Sequence, residues 1–480
     1  MKTIFDSFRI FRNRYLLFCF AILLSEGVWS QIRLPAIISD NMVLQQNQEV
    51  VIWGWTAKPA EDIAVWGSWD NDTVKTSADK GKWRVTLTTP AKGGPFKIFV
   101  KGHELISIDN ILIGEVWLAS GQSNMEMTVG PNFGLKGILD HEKEIAQGDI
   151  PSIRFFIIEK RISNFPQDDC FGEWVIASPE TIKNFSAVAY FFGRNIHERL
   201  EVPVGIISSS WGGTNAETWM PENVVKTDAA HTEGQDLAVD YRSRPSSAGE
   251  AYNAMIYPLI QFKIKGAIFY QGENNRYDGG NYHRLFSDLI RSWRLDRKED
   301  FPFYYTQIAP YDYGKDEAVL VREGQLKTLA LPSTGMAVIN DIGNLNDIHP
   351  REKKEVGRKL SLWALAQAYG QKGIVYSGPL YKSMSIEVDK IRIEFHHAED
   401  GLQNKGGELT FFEIAGEDGE FLKASARIEG NTVVVSNEKI NNPVAVRFAF
   451  SDLAEPTLFN KAGLPASAFR TDNGEIIFEK

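Results

Sequence analysis

Cysteine is nearly absent: the 480 residues hold two, Cys19 and Cys170. Cys19 falls in an N-terminal stretch that reads as removable, and one remaining thiol cannot form an intramolecular disulfide. Packing, not covalent staples, must hold the mature chain, and a cysteine nucleophile or cysteine-ligated metal site is disfavoured. Histidine is also scarce, with eight in all, and no HxH or HExxH pair occurs, so no metal or other cofactor is expected. The body of the chain carries no basic run and the formal net charge is −10. That excludes nucleic acid as a main partner, because such binding needs clustered cations to release counterions. Apolar runs are short too. Tyr15–Leu24 (YLLFCFAILL) has ten residues, against the ~20 that a spanning helix requires.

That run follows Arg9, Arg12 and Arg14, and Val28 and Ser30 place small residues where cleavage before Gln31 would need them. Residues 1–30 therefore read as an export signal, with a retained anchor as the competing reading. Cys19 follows Phe18, a poor context for lipid attachment. Removal leaves a mature chain near −12, with no stable membrane insertion. Export without disulfides suits a bacterial periplasm, a secreted protein or a cell surface.

What is present is ordinary globular material, 43% hydrophobic and 24% charged, in a chain long enough for several domains. Residues 31–105 read as a small all-β domain. Val50–Trp55, Ile63–Trp69, Trp83–Thr88 and Phe96–Lys101 are strand-like runs separated by Gly, Pro, Asp and Asn clusters. Trp53, Trp55, Trp66, Trp69 and Trp83 could form a sugar platform, although core packing is the commoner use of such residues. Over 106–374 strand and helix alternate. Strands are expected at Ile111–Ala119, Ile153–Ile157, Val204–Ser209, Ile264–Tyr270, Phe303–Ile308 and Met336–Ile339, and helices at Ala187–Leu200, Tyr282–Leu295, Ala318–Ala330 and Arg351–Tyr369. This rhythm implies a parallel sheet covered on both faces, with reacting groups at the carboxyl ends of its strands. Residues 221–250 are polar and weakly periodic, an insertion or long loop of the kind that lines binding sites. Residues 375–480 return to short β runs, the first expected at Ile374–Ser377, and read as a second β domain. Its Pro456–Phe469 stretch is a candidate to fold back on the central part.

Four segments of the α/β region fall at strand ends. Gly114–Met127 (GEVWLASGQSNMEM) runs from a buried strand into a polar turn bearing Ser123, the usual presentation of a nucleophile, although Ser-Asn is also a common helix cap. Ser210-Trp211-Gly212-Gly213-Thr214 offers backbone N–H groups unobstructed by side chains. Gln271-Gly272-Glu273-Asn274-Asn275 offers amides. Asp341–Pro350 carries Asp347 and His349 just before a helix. Acyl transfer needs a hydroxyl, a base, a group to hold the base and donors for the developing oxyanion, and these segments supply the set.

In that order the blocks GQSNM, SxWGGTxxExW (Ser209–Trp219), QGExN (Gln271–Asn275) and NDIHP (Asn346–Pro350) resemble those of sialate O-acetylesterases, serine esterases of SGNH-hydrolase type. The N-terminal LPAIISDNMVLQ and VxIWGW are similar to that family's opening β region, so the likeness covers nearly the whole mature chain. It implies a flavodoxin-like three-layer α/β/α domain flanked by N- and C-terminal β-sandwich-like regions. It also implies Ser123 as nucleophile, His349 as general base and Asp347 as the carboxylate that orients it. The oxyanion donors implied are the N–H groups of Ser123 and of Gly212 or Gly213, with an amide from Gln271, Asn274 or Asn275. Two departures stand out. One residue, Ile348, separates Asp347 from His349 where the superfamily has two, which leaves Asp341 as an alternative. Asn274 occupies the position usually held by serine.

The resemblance implies hydrolysis of O-acetyl groups on sugars, with 9-O-acetylated sialic acids first and acetylated plant polysaccharide as the alternative. A sialate carboxylate would need a cation, and Arg154, Arg276 and Arg351 lie near block ends. A non-catalytic glycan-binding protein and a glycoside hydrolase using Glu115 and Glu273 are the other readings. His396-His397 reads as a surface strand pair.

Overall fold

The computed structural model describes residues 32–70, 72–132, 134–237 and 244–472. The export signal expected over 1–30 lies outside them. One long strand, β1 (Leu105–Gly121), organises the rest. Its first half pairs antiparallel with Gly93–Lys101 in an N-terminal sheet, and Val43–Gln45 lies parallel against its Leu112–Gly114. Its second half, buried from Ile111 to Gly121, is the middle of the central sheet. A strand covered on both faces reads as an unbroken apolar run, as Val116-Trp117-Leu118-Ala119 does.

The central sheet adds β2 (Ile153–Ile158), β3 (Gly172–Ile176), β4 (Val204–Ser210), β5 (Gly266–Tyr270), β6 (Phe303–Thr306) and β7 (Thr334–Ala337). Their order is β7-β6-β5-β1-β4-β2-β3. All neighbours are parallel except β2 and β3, which pair antiparallel at one edge. Alternation along β6 sends Tyr304 and Phe303 to opposite faces. On one face Trp117 stacks on Tyr304 and meets Phe192 of helix α1 (Ala187–Leu200) edge-on. On the other, Phe269 and Phe303 pack against Phe286 and Trp293 of α2 (Tyr282–Arg297). Helix α3 (Val319–Thr328) lies beside α2, and Gln325 from it donates to the carbonyls of Gln271 and Thr306. Helix α4 (Lys353–Trp363) packs on α1. The result is the expected α/β/α layering within a mixed sheet.

Three expectations change in detail. The polar stretch 221–250 contains helices at Glu222–Lys226 and Ala229–Leu237. The second is anchored by the fully buried His231, and Gly234 lies so close to Asp278 that a side chain there would collide with its carboxylate. Ile374–Ser377 forms no strand. Tyr376 turns onto Trp363 and His397 instead, and pairing starts at Leu380. His397 is thus a half-buried packing residue and not half of a surface pair. Of the N-terminal tryptophans, Trp53 and Trp83 belong to the core, Arg33 covers the ring of Trp55, and Trp66 and Trp69 pack on Phe99 and Phe96.

The C-terminal region holds two four-stranded antiparallel sheets with a core of their own, including Ile391, Ile393, Val433, Val435, Ile414 and Phe448. It is tied to the α/β layers by polar contacts. Gln307 donates to Ser467 and Asn340 to the carbonyl of Ala466, so the Pro456–Phe469 stretch does return to the central part. Arg322 meets Asp452 at 3.1 Å with both side chains almost wholly buried, and Asp452 also accepts from the Ala318 N–H at 3.0 Å. Removing one partner of such a pair strands the other charge in the interior. Asp452→Ala is therefore expected to destabilise the protein by about 3–5 kcal/mol. Urea unfolding followed by tryptophan fluorescence measures this, and an unchanged midpoint would show that the seam bears no load.

Candidate active site

Parallel strands end on one side of a sheet, and the ends of β1, β4 and β5 bring the sequence blocks together there. The turn after β1 depends on Gly121. Its φ is +136°, and a Cβ would lie 2.2 Å from the carbonyl oxygen of Tyr270, so only glycine passes this close to β5. The Gln122 N–H then donates to that same oxygen at 2.9 Å, and Ser123 opens a one-turn helix, Ser123–Glu126. The side-chain oxygen of Gln122 accepts from the N–H groups of Gly272 and Asn274, which binds the β1 and β5 loops to each other.

The Ser123 hydroxyl lies 2.8 Å from His349 Nε2, across 226 residues of chain. The hydroxyl donates when Nδ1 carries the ring proton. Asp347 is placed differently from a full triad member. Its Oδ1 accepts the backbone N–H of His349 at 2.9 Å and stands 3.8 Å from Nδ1, beyond hydrogen-bond reach. The alternative carboxylate, Asp341, is engaged by Lys359 of α4 at 2.6 Å. Burial, then the Lys353 cation, hold the His349 imidazole below its ordinary value, while Asp347 and Glu126 oppose them.

Ser123 and His349 border a cavity of about 340 Å³, with Gly212, Gly213 and Asn274 in its lining. A Cβ on Gly212 would stand 3.1 Å from that of Ser123, so this glycine also permits close approach. The Gly212 N–H donates to the carboxylate of Glu126, which in turn pairs with Lys160. Asn274 donates from its amide to the Gly213 carbonyl. Gln271 and Asn275 are elsewhere. Asn275 bonds Glu217, Ala216 and Gln271, and Gln271 accepts from Tyr282, so both amides are spent beneath the turn.

Among the arginines, Arg154 is buried against Pro151, Asn41 and Asn110, and Arg351 bonds the carbonyls of Gly137 and Ile138. Arg276 does line the cavity, as does Arg244 from the 221–250 insertion. Arg276 lies over the rings of Tyr277 and Tyr313 and 3.4 Å from Glu317. Glu115 is held by Gln45, Gln46 and Tyr369 and is not in the cavity lining, so it forms no carboxylate pair with Glu273 there. Cys170 is buried, with its thiol pushed up to about 12 by burial and by Asp169, and is inert as a nucleophile.

Sequence reasoning missed three residues here. Glu126 and Arg244 join the site, and Lys353 lies buried under it. The first had a signal in the GQSNMEM block; the others had none. As for metals, the described residues offer one cluster, Asp228, His231 and Asp288. Arg284 and Arg291 already pair with its two carboxylates, which leaves little charge for a cation.

The profile of a family described as carbohydrate esterase, sialic acid-specific acetylesterase, matches residues 113–361. The chain is similar to human sialate O-acetylesterase, at 30% identity over 423 residues and 80% of each chain. It is similar to the rat protein of that name at 29%, over 75% of this chain and 78% of that one. Its fold is similar to the crystal structure of a carbohydrate acetylesterase from Xanthomonas citri, with a TM-score of 0.84 and 36% identity, covering 92% of this chain and all of the other. A serine and a histidine in contact at the strand ends of an α/β/α sheet accordingly sit within a chain that belongs to the sialic acid-specific acetylesterase family of carbohydrate esterases.

Proposed function

We propose that this carbohydrate esterase is an exported serine esterase that removes O-acetyl groups from sugars, with 9-O-acetylated sialic acids as its substrates. The observation that carries the chemistry is the 2.8 Å contact between Ser123 Oγ and His349 Nε2 at the cavity wall. His349 takes the hydroxyl proton as Ser123 attacks the acetyl carbonyl. The oxyanion of the tetrahedral intermediate draws on the N–H groups of Ser123 and the Gly212–Gly213 turn and on the Asn274 amide. The Gly212 N–H now given to Glu126 passes to the acetyl oxygen as substrate enters. His349 then protonates the departing sugar hydroxyl, and water activated by the same ring releases acetate. Asp347 steadies the histidine through its backbone and through charge.

The choice of sialate rests on Arg276 and Arg244 in the cavity lining, because recognition of a sugar carboxylate needs a cation in reach. Export rests on the arginine-led apolar run ahead of Gln31.

Ser123→Ala is expected to lower kcat by roughly three orders of magnitude with its circular dichroism unchanged. Acetate release from O-acetylated sialic acid, acetylated xylan and a nitrophenyl acetate measures it, and an active Ser123→Ala protein would end the serine-esterase reading. Arg276→Gln should raise KM about tenfold on the sialate substrate alone; equal effects on xylan would point to plant polysaccharide. Because His349 must be unprotonated to act, kcat/KM should hold as pH falls and decline only below the ordinary imidazole value of about 6.5. A decline centred above that value would contradict the burial and cation described for this ring.

A further inference from the structure

Among the residues of the sequence blocks that have no part in this chemistry are Asn124 of GQSNM and Glu273 of QGENN. Both are buried, at 1% and 3% exposure, and Lys353, at the start of α4, is fully buried between them and the histidine loop. Asn124 connects all three elements. Its Nδ2 donates to Glu273 Oε1 at 2.5 Å and to the carbonyl of Ile348 at 3.0 Å. Its Oδ1 accepts from Lys353 Nζ at 2.5 Å. Ile348 immediately precedes His349, so the amide beside the nucleophile fixes the backbone that carries the base. Glu273 Oε2 is buried with no hydrogen-bond partner among the described residues.

Stability does not call for this arrangement. Opposite charges kept apart by an amide gain less than a direct pair, and apolar residues of the same volume commonly serve a core as well or better. We propose that Glu273, Asn124 and Lys353 form a positioning clamp that holds the His349 loop against Ser123 and sets a positive charge beneath the imidazole. This rests on His349 being the base of the proposed esterase.

The charge environment is consistent with such a role. Burial lowers the Lys353 ammonium to about 7, against the pull of Glu273 and Asp347. Burial raises the Glu273 carboxyl, opposed by its backbone N–H, Asn124, Lys353 and Arg276. Facing His349 are Asp347 from its own loop, Glu126 from the Ser123 helix and Lys353 from α4. Glu273, Arg276 and Arg244 line the same cavity. In mildly acidic solution Lys353 is the cation that resists protonation of the base.

The test is the pH dependence of kcat/KM on a nitrophenyl acetate, measured beside kcat and KM. Lys353→Met should shift the acidic limb upward by on the order of half a pH unit. Glu273→Gln retains an acceptor for Asn124 but removes the charge that keeps Lys353 protonated, and should move the limb the same way. Asn124→Ala should lower kcat about tenfold with KM little changed. If Lys353→Met fails to fold, the isosteric Glu273→Gln carries the test. Folded variants with a wild-type acidic limb, or with only KM altered, would overturn the clamp. Activity surviving in Ser123→Ala is a separate result and would remove the esterase reading itself.

Discussion

The parallel ladder of β1 with β4 and β5 is the constraint on which everything at the site depends. Hydrogen bonding in register from Glu115 to Gly121 on one side and from Trp117 to Gly121 on the other makes three strands finish level. Three loops then emerge together, carrying Ser123, the Gly212–Gly213 turn and the Gln271–Asn275 block. None of these segments is close to another in sequence. A one-residue slip in either ladder would exchange the faces of a whole strand and take its loop out of alignment.

Level strand ends bring loops near one another, but side chains must fix them. Most of that task falls to buried amides. Gln122 gathers two N–H groups of the β5 loop, Asn275 joins Glu217 and Ala216 to it, and Asn124 reaches the histidine loop. Amides suit this work because each both donates and accepts, so one side chain can satisfy two backbone elements without placing a net charge in the interior. Glu273 and Lys353, two of the titratable groups that do lie there, are bridged by an amide and do not pair directly.

Much of this was legible in the sequence, and the reason differs from element to element. Helix α1 runs over the expected Ala187–Leu200 because its apolar period and the cap at Ser186 agree. Ser123, His349, Gly212 and Gly213 could be nominated because their blocks fall at strand ends, and the fold puts them around one cavity. Within the Gln271–Asn275 block the sequence left the donor open. Three amides stand in five residues, and only their hydrogen bonds show that Gln271 and Asn275 point away while Asn274 faces the cavity. The departure between Asp347 and His349 was visible as spacing, and the 3.8 Å gap at Nδ1 is its physical form. Lys353 and Arg244 carried no local signal at all. A lysine opening a helix and an arginine in a polar insertion are ordinary on a surface, and what brings them to the site is tertiary.

The strand Leu105–Gly121 ties this local geometry to the whole molecule. Seventeen residues of strand extend for about 55 Å, clamped at one end in the N-terminal sheet and ending at the other beside Ser123. With such a spar there is no seam at which the N-terminal region could swivel like a module on a linker. A recombination joint placed between the two would cut through hydrogen-bonded backbone. The N-terminal sheet and the turn that bears Ser123 are one mechanical part, whereas the C-terminal sheets meet the α/β layers through side-chain contacts such as Arg322 with Asp452.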